Sequence, residues 1–238
     1  RPDCQYTQMG FAQLRALSAS GQCSPFDAKG DGLVVGEGSG IVVLKRLSDA
    51  LTAGDEIHAV IKGVGLSNDV EGNLLAPASE GQLRAMRAAY EEAEWTPEMV
   101  DMIECHATGT PIGDAVEFNS LKELWGERRL ENRKCVLGAA KANVGHLLTG
   151  AGAAGLIRVL LAMKNRTLPP IANFVNSSEK VDFDSSPFTA LTEGRPWELR
   201  DDRTPRRAAV SAFGFGGINA HVLIEEWTAN SQSQISNL

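Results

Sequence analysis

The sequence contains no apolar run approaching the ~20 residues that cross a bilayer, so no membrane-embedded protein is expected. It has no basic excess either. Against 30 Asp and Glu there are 23 Lys and Arg, a net charge of −7, which excludes nucleic acid as the main ligand because phosphate neutralisation needs a basic surface. Cysteine is scarce: Cys4, Cys23, Cys105 and Cys135 form no CxxC pair, which suits a reducing cytoplasm better than a disulfide framework. The first residues, RPDCQYTQMGF, lack an initiator Met and a charged-then-apolar signal, so the chain is expected to begin inside a longer polypeptide. No solenoid-length repeat occurs, and no internal linker before Thr228. Residues 1–227 therefore read as one domain, and 228–238 as a polar tail or linker.

What is present is an ordinary globular composition, 43% apolar and 22% charged, which argues against disorder. Apolar spacing predicts a short helix over 9–20 and a buried strand over 40–47, with the alternating segment 57–67 as its partner. An amphipathic helix follows over 79–95 with Ser79 at its N-cap, then a strand over 100–107 and a helix over 114–126 closed by Gly126. Residues 135–140 read as a short buried strand. The segment 145–165, rich in Gly and Ala and apolar on most sides, reads as a buried central helix. Residues 206–227 look like two strands joined by a Gly-rich bend. Strands alternating with helices imply a layered α/β architecture. So few elements cannot cover both faces of its apolar strands, so a large apolar surface should meet another half-domain or subunit.

Two histidines stand where α/β sheets gather ligands, at the carboxyl ends of strands. His106 ends the strand in ECHATGTPIGD, and His146 lies near the predicted helix start in KANVGH, beside Lys141 and Asn143. The positive end of a helix disfavours imidazolium, so His146 should stay neutral and able to donate one hydrogen bond to an oxygen gaining charge. The two could face one pocket; alternatively, each is a satisfied structural histidine. A zinc site is not expected among Cys105, His106, Cys135 and His146, because no two have a suitable spacing and neighbours on a strand point to opposite faces. His58 and His221 read as structural. DGLVVGEGSG (31–40) precedes a strand and not a helix, which makes a poor phosphate loop. SAFGFGGINAH (211–221) is either a glycine-kinked hairpin or a bend that brings backbone close to a ligand. Asp114 reads as a helix-capping carboxylate, whereas Glu117 could cap or could pair with Lys141.

Taken together, HATGTPIGD (106–114), KANVGH (141–146), FGFGGINAH (213–221) and CSPFDAKGDGLVVGEGSGIVVLKRLSDA (23–50) resemble, in order and spacing, the motifs of the β-ketoacyl synthase family. Details such as HATGTPIGDAVE and LPPIANFVNSSEKVDF are similar to type I polyketide or polyunsaturated-fatty-acid synthase modules. The resemblance implies a thiolase-like α-β-α-β-α fold, of which this chain covers mainly the C-terminal half, and normally a homodimer. It also implies decarboxylative Claisen condensation with malonyl-acyl carrier protein. Substrates would ride on the carrier's phosphopantetheine, and no metal or other cofactor is needed. His106 and His146 would stabilise the enolate and Lys141 would organise the polar network. Thr108, Thr110, Phe213, Phe215 and Asn219 would line the substrate path, with Phe215 as a gate-like aromatic, and Asp114, Glu117 and Asn143 would support the site.

Two departures stand out. None of PDCQY, GQCSP, IECHA or RKCVL matches the family's nucleophile motif, so a missing N-terminal half should supply that cysteine. Ile218 stands where the family usually has threonine. The alternative is a non-condensing, chain-length-factor-like partner serving dimerisation and carrier docking.

Overall fold

Met102-Ile103, Val136-Leu137 and Ala208-Ala209 are adjacent apolar pairs in extended segments, where neighbours point to opposite faces, so each segment must be covered on both sides. A computed structural model describes residues 5–70, 77–127 and 133–228; Cys4 and tail residues 229–238 lie outside them. Helices α1 (Gln5–Gln13) and α2 (Leu47–Ala53) precede strand β1 (Ala59–Asn68) and helix α3 (Ser79–Ala93). Then come β2 (Met102–Glu104), α4 (Pro111–Trp125), β3 (Cys135–Gly138), the single turn α5 (Lys141–Val144) and α6 (Ala151–Lys164). Short strands β4 (Thr167–Leu168), β5 (Phe188–Ala190) and β6 (Arg195–Pro196) lead to the hairpin β7 (Arg207–Gly214) and β8 (Ile218–Glu226).

Six strands form one mixed sheet in the order β1-β8-β7-β2-β3-β5. β7, β2, β3 and β5 run parallel, while β8 is antiparallel to both its neighbours. On one face Ile103, Leu137, Ala209 and Leu223 pack with Met86, Phe118, Leu121 and Trp125 of α3 and α4. On the other, Met102, Val136, Ala208 and Ile224 pack with Val159 and Met163 of α6. The strand periodicity thus becomes a three-layer α-β-α body. α3 lies unusually close to the sheet: a Cβ on Gly65 would fall 1.7 Å from the backbone oxygen of Ala85. Gly65→Ala is therefore expected to cost about 3 kcal/mol in a denaturant titration, with Lys62→Ala, an exposed neighbour on the same strand, as the near-neutral control. α3 also protects the edge strand, since Glu92 accepts the outward Val64 N–H at 2.6 Å and Arg84 donates to the Asn68 carbonyl.

Several expectations need correction. Residues 40–47 form no buried strand: Ile41 is 88% and Val43 90% exposed, and β1 pairs with β8 instead. The segment has a strand's composition but, among the described residues, no neighbouring strand to pair with. The first helix ends at Gln13, because Arg15 takes a left-handed conformation. Ser79 is the first helical residue of α3, and its hydroxyl is spent on Ser120 at 2.8 Å rather than on a cap. The predicted helix over 145–165 begins only at Ala151 and is buried on one face. Its other face, with Ala154, Ile157 and Leu161, opens on a groove of about 710 Å³ bounded by Val144, Leu147 and Pro170. The expected uncovered apolar surface is therefore present.

Candidate active site

β2 ends at Glu104, and the chain leaves the sheet at its carboxyl end through His106. Positive φ at Ala107 (33°) and Gly109 (81°) then turns it into α4. Two buried acids of α4 reach back to hold this loop. Glu117 accepts the N–H groups of His106 and Ala107 at 2.7 and 2.8 Å; Asp114 accepts those of Thr108, Gly109 and Phe26 at 3.1, 3.2 and 2.9 Å. Neither carboxylate acts as the cap of its own helix, which starts at Pro111 after Thr110. Burial pushes both carboxyl groups up to about 7, against the pull of those N–H donors. Lys141, which could have paired with Glu117, donates its ammonium to the carbonyl oxygen of His106.

His146 is not at a helix start. It lies between α5 and a 3₁₀ turn at Leu148–Gly150, ahead of α6. Backbone holds it there: its N–H donates to Val34 O at 2.7 Å, and its carbonyl accepts Gly36 N–H at 3.1 Å. The glycine segment 31–40 is thus the cradle of His146, a role its sequence did not announce. Since α6 starts only at Ala151, causes nearer than its dipole keep His146 neutral. Burial does so first, then the nearby Lys141 charge, and together they lower its pKa to about 4. His106 is held well below its ordinary value by burial, Lys141 and His146, in that order.

The two rings stand 5.5 Å apart, near-perpendicular at 80°. In each, Nδ1 accepts a backbone N–H: His106 from Phe213 at 3.2 Å and His146 from Leu148 at 3.0 Å. A backbone N–H can only donate, so in both neutral rings the proton sits on Nε2. The site therefore presents two neutral Nε2–H donors. Nitrogen-15 correlation spectra are expected to show His146 as the Nε2–H tautomer from pH 6 to 8, titrating with a midpoint of about 4. An imidazolium at pH 6 would contradict that assignment.

The remaining predicted residues spread outward from this pair. Thr108 and Thr110 share a hydroxyl hydrogen bond of 2.9 Å beside His106. Phe213 is buried and its ring lies 6.1 Å from that of His106. Phe215, half exposed, packs on Phe11 at 5.4 Å instead. Asn219 is buried and donates to Asp69 at 2.7 Å and to Gly217 O at 3.0 Å, bracing the glycine bend. Asn143 is exposed on the rim between two grooves. His58 is exposed beside Glu56, and His221 bonds Ser211 at 3.1 Å inside the sheet. Cys23, Cys105 and Cys135 are buried, and burial raises every one of their thiol pKa values, Cys23 to about 11, which disfavours thiolate.

Residues 4–50 match the family described as Beta-ketoacyl synthase, N-terminal domain, and residues 58–175 match Beta-ketoacyl synthase, C-terminal domain. The chain belongs to the β-ketoacyl synthase family. Its sheet and flanking helices are part of the ketosynthase's thiolase-like fold. The ketosynthase from module 6 of the bacillaene synthase of Bacillus subtilis 168 superposes with a TM-score of 0.90 at 40% identity, over 94% of this chain and 41% of that one. A keto synthase-chain length factor, PfaC, gives 0.84 at 41% identity, over 94% and 23%. Polyketide synthase PksL of Bacillus subtilis is 41% identical over 92% of this chain, which spans 5% of its length. Polyketide synthase GfsA of Streptomyces halstedii is 42% identical over 92%, with 3% of that protein spanned. The matched proteins are thus much longer than this chain. Among the described residues no helix is long and apolar enough to cross a membrane.

Proposed function

We propose that this chain supplies the His/His half of a Cys-His-His ketosynthase site. That site condenses an acyl thioester with malonyl-acyl carrier protein in polyketide or fatty acid synthesis. The observation that carries the reading is the pair of neutral Nε2–H donors, each fixed by a backbone N–H on Nδ1. Decarboxylation breaks the bond between the malonyl carboxylate and its α-carbon. Carbon dioxide leaves, and the electron pair becomes an enolate whose negative charge lies on the thioester oxygen. His106 and His146 donate to that oxygen as the charge develops, without having to lose a proton. The enolate carbon then attacks the acyl thioester, and the cysteine thiolate departs. Lys141 fixes the His106 backbone, and burial, reinforced by the lysine charge, holds both imidazoles neutral. Thr108 and Thr110 meet the phosphopantetheine, while Phe213, Phe215 and Asn219 shape the path beside it.

The acyl-bearing cysteine comes from the complementary N-terminal half of the domain, which also covers the open face of α6, and the complete domain pairs as a homodimer. The buried, thiolate-disfavouring cysteines described here favour a second reading, a non-condensing partner for dimerisation and carrier docking. Joining the chain to its complementary half and assaying carbon dioxide release from malonyl-acyl carrier protein separates the two. Release coupled to β-ketoacyl product is the expected result. Carrier binding without release sinks the condensing role.

A further inference from the structure

Glu104 puts a charge where the strand pattern calls for an apolar residue. It ends β2 after Met102 and Ile103 and is 2% exposed. Its Oε1 accepts the N–H of Ala140, and its Oε2 accepts Nη1 of Arg158 from α6 at 2.6 Å. Nη2 of the same guanidinium donates to the carbonyl of Pro170 at 2.6 Å. Two glycines make the room. A Cβ on Gly138 would lie 2.6 Å from Arg158 Nη1 and 2.7 Å from Glu104 Oε2, and one on Gly155 would lie 3.1 Å from Glu104 Cγ. Part of the small-residue run in α6 thus exists to admit this pair.

A buried ion pair adds little net stability, and packed apolar residues of similar volume would serve the fold as well. Its place in the chain bears on what else it does. Glu104 stands two residues before His106. Ala140 stands immediately before Lys141, whose ammonium donates to the His106 carbonyl. Residues 104–106 and 140–141 therefore close a ring, joined at one end by the Glu104–Ala140 hydrogen bond and at the other by Lys141–His106. We infer that the Glu104–Arg158 pair is a positioning device that sets Lys141 against His106 and so fixes the His106 donor for reaction. Arg158 compensates the Glu104 charge, and its planar fork holds that carboxylate and the Pro170 carbonyl together. The functional part of this inference rests on the condensing role proposed above.

The test compares Glu104→Gln and Glu104→Gln/Arg158→Met with the unsubstituted chain, each within its complete ketosynthase domain. The single variant leaves a part-buried guanidinium without its carboxylate and is expected to melt lower, whereas the double variant removes both charges and regains the melting midpoint. In the double variant kcat for carbon dioxide release should stay about tenfold or more down, with KM for malonyl-acyl carrier protein within about twofold. The His106 side-chain nitrogen resonances should be displaced, while those of His221, bonded to Ser211 outside the ring, hold. Recovery of kcat along with the midpoint, or unmoved His106 resonances, overturns the inference. If the unsubstituted domain releases no carbon dioxide, the condensing reading fails on its own, and the His106 resonances still decide the positioning role. Should the double variant not fold, Arg158→Lys, which keeps the charge and loses the fork, takes its place under the same spectroscopic criterion.

Discussion

In the complete ketosynthase domain, His106→Ala is expected to lower carbon dioxide release from malonyl-acyl carrier protein by about 10²- to 10³-fold, the cost of removing one preorganised donor from a developing oxyanion. The reason lies in how little else His106 does. Its Nδ1 takes one backbone N–H, from Phe213, and its main chain is held independently by Glu117 and Lys141. The melting midpoint should therefore move by only a few degrees. His106→Gln is the informative companion, since an amide keeps a donor without the imidazole geometry, and it should recover part of the lost rate. Steady-state decarboxylation together with thermal melting checks both. A His106→Ala domain that decarboxylates at the unsubstituted rate would show that the neutral donor is not used.

Asp114→Ala should produce the largest loss of stability at the site, on the order of 3 to 5 kcal/mol by denaturant titration. One carboxylate satisfies three buried N–H groups, those of Phe26, Thr108 and Gly109, and thereby ties the loop before residue 31 to the loop after His106. Alanine removes the acceptor shared by all three donors. Asp114→Asn keeps one acceptor oxygen but turns an NH₂ group toward at least one of the same donors, so it should recover only part of the loss. If the alanine variant unfolds at the unsubstituted denaturant midpoint, Asp114 is not the brace described here.

Adjacent apolar pairs at 102–103, 136–137 and 208–209 were enough to indicate strands covered on both faces, because strand geometry forces neighbours apart. The same local rule fails at 40–47. β-branched residues there favour a strand, but strand formation requires a hydrogen-bonding neighbour, and the described residues offer none. It fails again at His146, where a helical pattern over 145–165 hides a break: Gly145 and Leu148 adopt positive φ, and the helix restarts at Ala151. The lowered pKa of His146 comes from burial and then Lys141 rather than from a helix start at that residue. Glu104 was legible in principle, as a lone carboxylate in an apolar strand, yet nothing local names Arg158, 54 residues later, as its partner.

The sequence by itself determined the family, through four ordered motifs, and with it the residue types of the site: two histidines, a lysine and two acids at set spacings. Only the tertiary structure decided which nitrogen of each histidine carries the proton. That choice depends on backbone donors at Phe213 and Leu148, one of them 107 residues away along the chain from the ring it serves. It also decided that Glu117 braces the His106 loop while Lys141 reaches the His106 carbonyl. Composition and periodicity act over a few residues, whereas a proton's location or a carboxylate's partner is set by the groups that folding brings within about 3 Å.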